Sequence, residues 1–382
     1  MKIAICGTRG IPACYGGFET FAEELSTRLV DNGYKVVVYG RSHVISYTEK
    51  YFRGVEIRLL PSIKNKYLET PIHSFLTFLH LIFYRVDLAL VCNAANSPFL
   101  WILRLAGIPV VVNVDGIERN RAKWNSLGKL WYLLGEYCSS IFANKVISDA
   151  EVIRQYYHET YNIDSTVIPY GYSKISEELL ESKTNNLVIE LADDKILKRF
   201  NLLSGQYLLY VSRLEPENNA LVVIKAYNQL PPDVQNKYPL LIVGDAPYAD
   251  EYKKKLYEIA TKNVIFAGFV FGEDYKTLQT AALLYIQATE VGGTHPALVE
   301  SMGFANCIIS NDTPENREVL SDCGLFYLKN NELDLAGKFS SLLNEPYKIL
   351  EFRRKALSRA QNVYSWDSVT KKYEDLILDF FS

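Results

Sequence analysis

Short apolar runs alternate with longer amphipathic stretches along most of the chain, which is typical of an α/β fold. Runs that are apolar throughout, rather than at every second position, indicate strands buried on both faces of a parallel sheet. In the first half of the chain these runs are KIAIC (2–6), VVVYG (36–40), DLALVCN (87–93) and PVVVNV (109–114). Between the first two runs, apolar side chains from Phe18 to Leu29 recur at helical spacing, and Gly33 ends the predicted helix.

The same alternation restarts in the second half of the chain. Its predicted strands are QYLLYVSR (206–213), PLLIVGD (239–245), NVIFAGF (263–269), LLYIQAT (283–289) and NCIIS (306–310). The pattern predicts two doubly wound α/β domains in tandem, with the ligand site in a central cleft at the carboxyl ends of the strands. The predicted boundaries are 1–172 and 204–362 for the domains, 173–203 for a linker with an entry helix, and 363–382 for a C-terminal helix.

The end of the first domain carries two further signals. SDAEVIRQYY (148–157) predicts a helix that its Ser-Asp pair caps, and STVIPYG (165–171) predicts a strand followed by a turn. The thirty or so residues that follow are polar and lack strand character, which favours the linker.

Length and composition are those of a large globular protein. At 382 residues the chain exceeds one ordinary core, so two domains of about 150 to 200 residues are expected. The net charge of −3 lacks the basic excess of most nucleic-acid-binding proteins, and we expect no nucleic-acid partner. The six cysteines form no C-x-x-C pair and no cluster with histidine, which indicates a reducing compartment and no metal site.

No segment has the pattern of a leader peptide or a membrane span. The N-terminal apolar run is shorter than the roughly seven residues that a signal peptide needs. The most apolar segment, 74–91, is interrupted by His80, Arg85 and Asp87 and falls short of the roughly 20 residues of a spanning helix. We therefore expect a cytoplasmic protein. KNK (64–66) precedes this segment, which favours peripheral contact of residues 71–84 with the inner face of the membrane, and an ordinary buried helix is the alternative.

The first predicted strand is followed by a loop with four glycines, CGTRGIPACYGGFET (6–20). Glycine lets backbone N–H groups approach a ligand closely. The spacing, however, matches neither the dinucleotide fingerprint G-x-G-x-x-G nor a phosphate-binding P-loop. A surface loop that uses glycine only for its turns is the alternative.

A carboxylate follows the predicted strand PVVVNV. Asp115 and Gly116 come at the end of this strand, where a carboxylate faces the predicted cleft. The alternative is that this Asp-Gly pair only makes a turn. The charged residues that follow closely are Glu118, Arg119, Arg121 and Lys123.

Two loops of the second half carry groups suited to a diphosphate. Arg213 follows the first strand of that half, where a guanidinium binds phosphate through paired hydrogen bonds, although a solvated surface charge is the alternative. In ATEVGGTHPALVESMG (288–303), two glycines lead into a helix with Thr294 and Pro296 in its first turn. The N–H groups and dipole of that helix end favour an anion. Glu300 lies further along the helix, and His295 either contacts phosphate or merely packs.

Together these motifs resemble a known family. Over essentially its whole length the chain is similar to retaining glycosyltransferases of family 4, which have the two-domain GT-B fold. The motifs are GGFET, IPYG at the domain junction, SRLEPENN, GGTHPALVESMG, and the final WDSVTKKYEDLI, which in such folds crosses back to the first domain. GTRGIPACYGGFET together with NVDGIERNRAKW resembles a bacterial subgroup that includes capsule and cell-wall rhamnosyltransferases.

The resemblance implies a role for each candidate residue. Arg213 is expected to bind the donor diphosphate, and Asp115 is expected to act in catalysis on the acceptor side. Glu300 matches the family glutamate that hydrogen-bonds the donor ribose. The other donor-binding residues that it implies are Gly16, Gly17, Asn218, Glu290, Gly292, Gly293, Thr294 and His295. The acceptor-side residues that it implies are Gly10, Phe18, Glu19, Glu118 and Arg121.

Three positions depart from the family pattern. The family lysine five residues after the arginine is Asn218 here, so one cation fewer faces the diphosphate. The first of two glutamates spaced eight apart is replaced by Gly292, and Glu290 lies two residues away from that position. Where family members carry a histidine near the end of an N-domain strand, this chain has Asp115. A 6-deoxy sugar, which lacks the C6 hydroxyl, suits an altered sugar pocket.

The resemblance implies transfer of a hexosyl group, rhamnosyl from dTDP-rhamnose, onto a sugar of a lipid-linked or polysaccharide precursor. Retention then depends on electrostatic stabilisation of the departing diphosphate rather than on an enzymic nucleophile, and no metal cofactor is expected. Three alternatives stay open, because a fold alone does not define an activity. They are a transferase for another UDP- or GDP-sugar, a nucleotide-sugar epimerase that needs no acceptor, and a non-catalytic partner that binds nucleotide sugar without releasing diphosphate.

Overall fold

The computed structural model describes residues 1–14, 16–65, 67–121, 124–191, 195–247 and 249–381. These residues form two compact units, each built around a mostly parallel sheet with helices on its faces. The first unit consists of Met1–Gly171, Gly292–Thr294 and Trp366–Ser382, and the second of Tyr172–Val291 and His295–Ser365. The predicted pair of doubly wound, Rossmann-like α/β folds is confirmed.

The sheet of the first unit is assembled from the buried apolar runs. Its strands are β1 (Lys2–Cys6), β2 (Lys35–Arg41), β3 (Tyr51–Phe52), β4 (Val55–Leu60), β5 (Leu88–Cys92), β6 (Val110–Asn113), β7 (Lys145–Ser148) and β8 (Thr166–Val167). They pair in the order β3-β4-β2-β1-β5-β6-β7-β8, and among them only β3 and β4 pair antiparallel. Sequence analysis missed β4, because its burial alternates, and β7, because only Val146 and Ile147 among its four residues are apolar.

Five helices connect these strands: α1 (Gly17–Asp31), α2 (Glu69–Tyr84), α3 (Leu100–Leu105), α4 (Ser126–Phe142) and α5 (Glu151–Tyr161). The predicted helix after the glycine loop is confirmed by α1, which buries the expected apolar side chains. The prediction of a Ser-Asp cap on α5 is wrong, because α5 begins at Glu151 without any side-chain cap. The Ser148 hydroxyl pairs with that of Ser165 at 2.6 Å, and the Asp149 carboxylate accepts a hydrogen bond from Thr294.

The second unit repeats the pattern with a six-stranded parallel sheet. Its strands are β9 (Leu208–Val211), β10 (Leu240–Val243), β11 (Val264–Gly268), β12 (Leu284–Gln287), β13 (Cys307–Asn311) and β14 (Leu325–Tyr327), in the order β11-β10-β9-β12-β13-β14. Its helices are α6 (Glu177–Asn185), α7 (Lys195–Arg199), α8 (Ala220–Asn228), α9 (Pro232–Lys237), α10 (Asp250–Ile259), α11 (Gly272–Ala281), α12 (Pro296–Gly303), α13 (Pro314–Leu320), α14 (Glu332–Asn344) and α15 (Pro346–Val363). The described part of residues 173–203 thus contains two helices, α6 and α7, where the sequence predicts one.

The last helix, α16 (Trp366–Leu378), belongs to the first unit, which confirms the predicted return of the C-terminal helix. Trp366 and Tyr373 of α16 pack with Phe21 of α1 in one buried aromatic cluster. A Cβ on Gly171 would lie 2.4 Å from the Trp366 indole, so only glycine fits beside this helix. Among the described residues, no helix combines the length and the apolarity that crossing a membrane requires.

Two glycines of the first loop are required by the fold itself. A Cβ on Gly7 would lie 2.3 Å from the Cys92 carbonyl oxygen, and one on Gly10 would lie 2.8 Å from the Cα of Gly40. Both glycines also have positive φ, 88° and 112°, which other residues rarely adopt. Gly16 differs, because its φ of −165° is extended backbone and, among the described residues, the atom nearest to a Cβ there would be Oε2 of Glu19 at 3.5 Å. Turn formation therefore explains Gly7 and Gly10 but leaves Gly16 unexplained.

We predict that Gly10→Ala destabilises the protein while Gly16→Ala does not. At position 10 the methyl group meets backbone, and a strained φ alone costs roughly 1 to 3 kcal/mol. The midpoint of thermal unfolding should then fall by about 2 to 10 °C, as followed by circular dichroism. Gly16→Ala is the matched control and should unfold at the wild-type temperature. An unchanged midpoint for Gly10→Ala contradicts the packing argument.

Candidate functional site

Each sheet has a point at which the strand order reverses. In the first sheet this switch point lies between β1 and β5, and in the second it lies between β9 and β12. Ligands of doubly wound sheets bind at the carboxyl ends of such strands. The glycine loop follows β1, Arg213 follows β9 and Glu290 follows β12. These three candidates from the sequence therefore lie at the two switch points, the glycine loop in the first unit and Arg213 and Glu290 in the second.

In the second unit the candidate site is built around Arg213. Its side chain is 28% exposed and lies 3.8 Å from the Glu215 carboxylate. The buried side chain of Asn218 donates to the Arg213 carbonyl oxygen at 2.7 Å, and the Asn218 carbonyl accepts from the Tyr210 hydroxyl at 2.7 Å. The asparagine at the position of the family lysine thus holds the backbone of the arginine. A contact of Asn218 with the donor stays a prediction.

Glu290 joins the same cluster from the loop after β12. Its N–H donates to the Glu217 carbonyl oxygen at 3.1 Å, which ties the two loops together. Its carboxylate accepts a hydrogen bond from the side-chain amide of Asn330 at 2.6 Å. The structure therefore brings Arg213, Asn218 and Glu290 to one switch point, with Glu290 already bonded within its own unit.

Helix α12 places the remaining candidates of the second unit. It begins at Pro296 with His295 as its N-cap, so the prediction that Thr294 lies in its first turn is wrong. Glu300 lies in the second turn and accepts a hydrogen bond from the Tyr275 hydroxyl at 2.8 Å. Burial, and then the charge of Glu300, raise the pKa of Tyr275 well above its usual value. The tyrosine therefore keeps its proton and holds one oxygen of Glu300 in place.

In the first unit, α1 begins in the glycine loop, with Gly16 as N-cap and Gly17 as first residue. The buried carboxylate of Glu19 accepts the Arg9 N–H at 2.8 Å, and burial raises the pKa of this carboxyl. Phe18 packs edge-on against Tyr170, with 6.3 Å between ring centroids. Phe18 and Glu19 are thus engaged inside the unit, whereas Gly16 and Gly17 bring bare backbone to the switch point.

Asp115 lies just beyond β6 in a left-handed conformation, with φ 56°. Its N–H bonds to the side-chain oxygen of Asn113 at 3.3 Å, and the Asn113 amide donates to the Tyr373 hydroxyl of α16 at 2.8 Å. Nearby, Arg121 pairs with Glu118 at 2.6 Å. Burial, and then the charge of Glu118, raise the pKa of Asp115. The predicted acceptor-side residues Asp115, Glu118 and Arg121 therefore form one charged group, whereas Lys123 lies outside the described residues.

The segment Gly292–Thr294 packs within the first unit against this charged group. A Cβ on Gly116 would lie 2.6 Å from Gly292, and one on Gly293 would lie 2.1 Å from Oδ1 of Asp149. The Thr294 N–H donates to Oδ2 of Asp149 at 2.7 Å, and its hydroxyl donates to the Asp149 carbonyl oxygen at 2.5 Å. The Thr294 N–H, which was expected to assist the donor diphosphate, is therefore bonded to a carboxylate.

Asp149 is the site residue that sequence analysis missed. It follows the short strand β7, and β6 and β7 are paired neighbours, so their carboxyl ends lie side by side. The signal was the position of Asp149 two residues after the apolar pair Val146–Ile147, which the interpretation of Ser148 and Asp149 as a helix cap left unused. Among the described residues, no group of three or more histidine, cysteine, aspartate or glutamate side chains is placed to hold a metal ion.

Two protein-family models match the chain. The model described as Glycosyltransferase Family 4 matches residues 15–173, and the model described as Glycosyl transferases group 1 matches residues 194–363. O-antigen chain mannosyltransferase B of Escherichia coli is 26% identical over 179 residues, which are 46% of this chain and 46% of the relative. An alpha-1,4-N-acetyl-D-galactosaminyltransferase of Campylobacter jejuni, whose name specifies a PP-undecaprenol-linked glycan, is 27% identical over 175 residues, 45% of each chain. The matches thus span about half the length of these curated relatives.

The fold is also that of a solved structure. The Anabaena protein HepE in complex with UDP-glucose superposes with a TM-score of 0.78 at 16% identity, over 99% of this chain and 100% of HepE. The two family models together span most of the sequence, and each of them covers the strands of one sheet almost completely. The chain therefore belongs to the superfamily of group 1 and family 4 glycosyltransferases with the GT-B fold.

Proposed function

We propose that this chain is a glycosyltransferase that moves a hexosyl group from a nucleotide diphosphate sugar to a glycan precursor. The observation that carries the proposal is Arg213, a partly exposed guanidinium at the switch point of the second sheet whose backbone the buried Asn218 holds. A cation fixed in this place suits a diphosphate. Membership of the superfamily and the UDP-glucose bound by HepE support this class of donor.

The chemistry that we assign to the site is electrostatic. Cleavage of the sugar–phosphate bond leaves negative charge on the departing diphosphate, and a cation placed there beforehand stabilises that charge. We assign a retaining route, in which the departing phosphate takes the proton of the acceptor hydroxyl on the face that it leaves. Asp115 orients the acceptor by accepting a hydrogen bond from a neighbouring hydroxyl of the acceptor sugar, and Glu300 binds the donor ribose. Gly16 and Gly17 bring backbone N–H groups close to the ligand.

The donor that we assign is dTDP-rhamnose, and the acceptor is a sugar on a lipid-linked or polysaccharide precursor. Gly292 stands where the family pattern has a glutamate, and Glu290 is bonded to Asn330, which suits a sugar without a C6 hydroxyl. The curated relatives are named as mannosyl- and N-acetylgalactosaminyl-transferases, so the corresponding donors are the alternatives. The PP-undecaprenol in the name of the Campylobacter relative supports a lipid-linked acceptor.

A lipid-linked acceptor suggests peripheral membrane contact, and α4 supplies a surface for it. Apolar side chains spaced alternately three and four residues apart lie exposed along one side of this helix: Leu127, Leu130, Leu134, Tyr137 and Ile141. Leu127 is 75% exposed and Leu130 is 61% exposed. Such a stripe normally faces a core, so an exposed one indicates an interaction surface.

The charges around this stripe favour an anionic lipid surface. Lys129 lies exposed on α4, and Arg104 lies exposed on the neighbouring α3. The acidic residue of α4, Glu136, is buried and paired with Arg119 at 3.1 Å. Basic and apolar side chains together are what a peripheral helix needs. We therefore place the membrane contact on α4.

Residues 71–84, where sequence analysis expected this contact, are less suitable. Helix α2 buries His73, Thr77 and Phe78 against its own unit, and exposes mainly Phe75 and Phe83. Lys66 of the preceding KNK lies outside the described residues. The alternative of an ordinary, largely covered helix thus describes α2 better.

The proposed function predicts release of nucleotide diphosphate from a matching donor only when an acceptor is present. A panel of dTDP-, UDP- and GDP-sugars is first tested for protection against thermal unfolding and then for diphosphate release with and without glycan acceptors. Arg213→Ala should lower turnover by roughly 100-fold or more, because the charge of the departing phosphate loses its cation. The matched control, Arg199→Ala, removes an exposed arginine of the same unit and should leave turnover unchanged.

The alternatives give different results in this panel. Conversion of the donor sugar without acceptor indicates an epimerase, and protection without any release indicates a non-catalytic binding partner. Near-normal turnover of a folded Arg213→Ala at saturating donor contradicts the assigned role of the arginine.

We predict that Glu300→Gln weakens binding of free nucleotide diphosphate and of the whole donor alike. Loss of a charge-assisted hydrogen bond to ribose costs about 1.5 to 3 kcal/mol, which is about tenfold or more in affinity. Glu290→Gln should weaken only the whole donor if Glu290 contacts the sugar, and neither ligand if its bond to Asn330 is its whole role. Calorimetric titration of both variants with both ligands separates these cases, with Tyr275→Phe as the control for the local hydrogen bond. If Glu300→Gln weakens the affinity for both ligands only slightly and equally, Glu300 does not bind the ribose.

We predict that the full chain floats with anionic vesicles at low salt and that Leu130→Gln/Leu134→Gln abolishes this. Burying one leucine is worth about 1.5 to 3 kcal/mol, so two glutamines should weaken association well over tenfold. High salt should weaken it further, because the lysine and arginine contacts are screened. Leu203→Gln, at an exposed leucine of the second unit, is the control and should float like the wild type. If the wild-type protein does not float with anionic vesicles at low salt, the proposed membrane contact of α4 is wrong.

A further inference from the structure

Two carboxyl groups lie in contact at the ends of neighbouring strands in the first unit. Asp115 follows β6 and Asp149 follows β7, and the pairing of these strands continues past β6, since the Val114 N–H donates to the Ile147 carbonyl oxygen at 3.0 Å. The side chains of Asp149 and Asp115 lie within hydrogen-bonding reach of each other. A carboxylate has no hydrogen to donate, so a hydrogen bond between two carboxyl groups requires a proton on one of them.

The surroundings of Asp149 supply little to neutralise a second charge. Its side chain is 1% exposed, and Oδ2 accepts the Thr294 N–H at 2.7 Å. Oδ1 lies against Gly293, and no N–H or hydroxyl of the described residues donates to it. Such a buried oxygen is costly unless it carries or receives a hydrogen.

The titratable groups around the pair are mostly neutral or acidic. On the loop after β6 lie Glu118 and Arg121, which form an ion pair with each other. The thiol of Cys92 at the end of β5 lies near Asp115, the hydroxyl of Tyr373 on α16 lies near Asp149, and the hydroxyl of Tyr170 lies near both. Burial raises the pKa of all three of these groups, so they stay neutral. Among the described residues, the charged groups around the pair thus include the carboxyl group of Glu118 and the guanidinium of Arg121.

We propose that Asp149 remains protonated at neutral pH and donates to Asp115, so that one shared proton keeps Asp115 ionised and oriented. Asp149 is then a positioning residue in two respects. Its hydroxyl directs the Asp115 carboxylate, and its remaining oxygens hold the Thr294 N–H and hydroxyl. The part that concerns Asp115 rests on the acceptor-side role given above.

The environments of the two groups identify which one holds the proton. Asp149 is fully buried, whereas Asp115 is partly exposed and lies near Arg121. Burial, then the charge of Asp115, raise the pKa of Asp149 well above its usual value. Two carboxylates in contact cannot both ionise readily, and the more desolvated one keeps the proton. The pair therefore binds one proton more tightly than the unfolded chain does.

This tight proton binding has a definite sign for stability. The unfolded chain releases this proton above the ordinary aspartate pKa, whereas the folded pair keeps it up to its own raised pKa. Between these two pKa values, the contribution of the pair to the free energy of unfolding therefore falls as pH rises. An asparagine at position 149 supplies an N–H for Asp115 and an oxygen for Thr294 but binds no proton. The unfolding temperature of Asp149→Asn, relative to wild type, should therefore rise with pH across this window.

The test compares Asp149→Asn with Asp149→Ala in the full chain. Turnover of Asp149→Asn should exceed that of Asp149→Ala by at least about tenfold at neutral pH, because the amide replaces both hydrogen bonds. The wild type should lose kcat/KM on the alkaline side as the shared proton leaves, and Asp149→Asn should lack this fall. Infrared spectra of protein with labelled aspartate should show a protonated carboxyl band at neutral pH that Asp149→Asn removes.

Several results overturn the proposal. They are a missing carboxyl band in the folded wild type, an unchanged alkaline fall in Asp149→Asn, and equal losses of turnover in folded Asp149→Asn and Asp149→Ala. The role of Asp115 is tested separately by Asp115→Asn, which should lose most turnover and retain donor binding. If Asp115→Asn keeps its turnover, the acceptor-side role fails, while the infrared band and the stability difference still decide whether Asp149 holds the proton.

Discussion

Parallel strand pairing is the constraint on which the rest of this structure depends. In a parallel sheet all carboxyl ends lie at one edge, so residues far apart in sequence become neighbours if each comes just after a strand. Asp115 and Asp149 meet for this reason, since β6 and β7 are paired. Arg213 and Glu290 lie at one switch point for the same reason, since β9 and β12 are paired. Strand order therefore decides which of these charged residues become neighbours in each unit.

The site also depends on glycines whose backbone packs directly against neighbouring atoms. Gly116 and Gly293 have no room for a Cβ, and this lets Thr294 approach the Asp149 carboxyl. Gly10 is needed in the same way against Gly40, where two backbone segments pass at contact distance. At Gly10, Gly116 and Gly293 glycine is required because other atoms of the protein occupy the space of a Cβ, whereas Gly16 has that space free. A glycine-rich sequence therefore does not by itself show which positions face a ligand.

Hydrogen bonds within each unit hold the charged groups in place before any ligand binds. Asn218 holds the backbone of Arg213, Tyr275 holds Glu300, and Asn330 holds Glu290. Groups fixed in this way need little reorganisation when charge develops on a departing phosphate, which is the usual source of electrostatic catalysis. At position 218, where the resemblance implies a lysine, the asparagine side chain instead donates a hydrogen bond to the Arg213 carbonyl oxygen.

The sequence by itself determined the α/β class, most of the long strands and helices, the loops that carry Asp115 and Arg213, and the helix that carries Glu300, because continuous apolar runs and helical periodicity are local signals. Only the tertiary structure decided which loops meet. A short strand such as β7 has too few residues to show the hydrophobic periodicity of a strand. The sequence therefore predicts a helix cap at Asp149 and does not predict its contact with Asp115. The partner of Thr294 was unpredictable for the same reason, since a hydrogen bond across 145 residues of sequence depends on strand order and packing that no local pattern encodes.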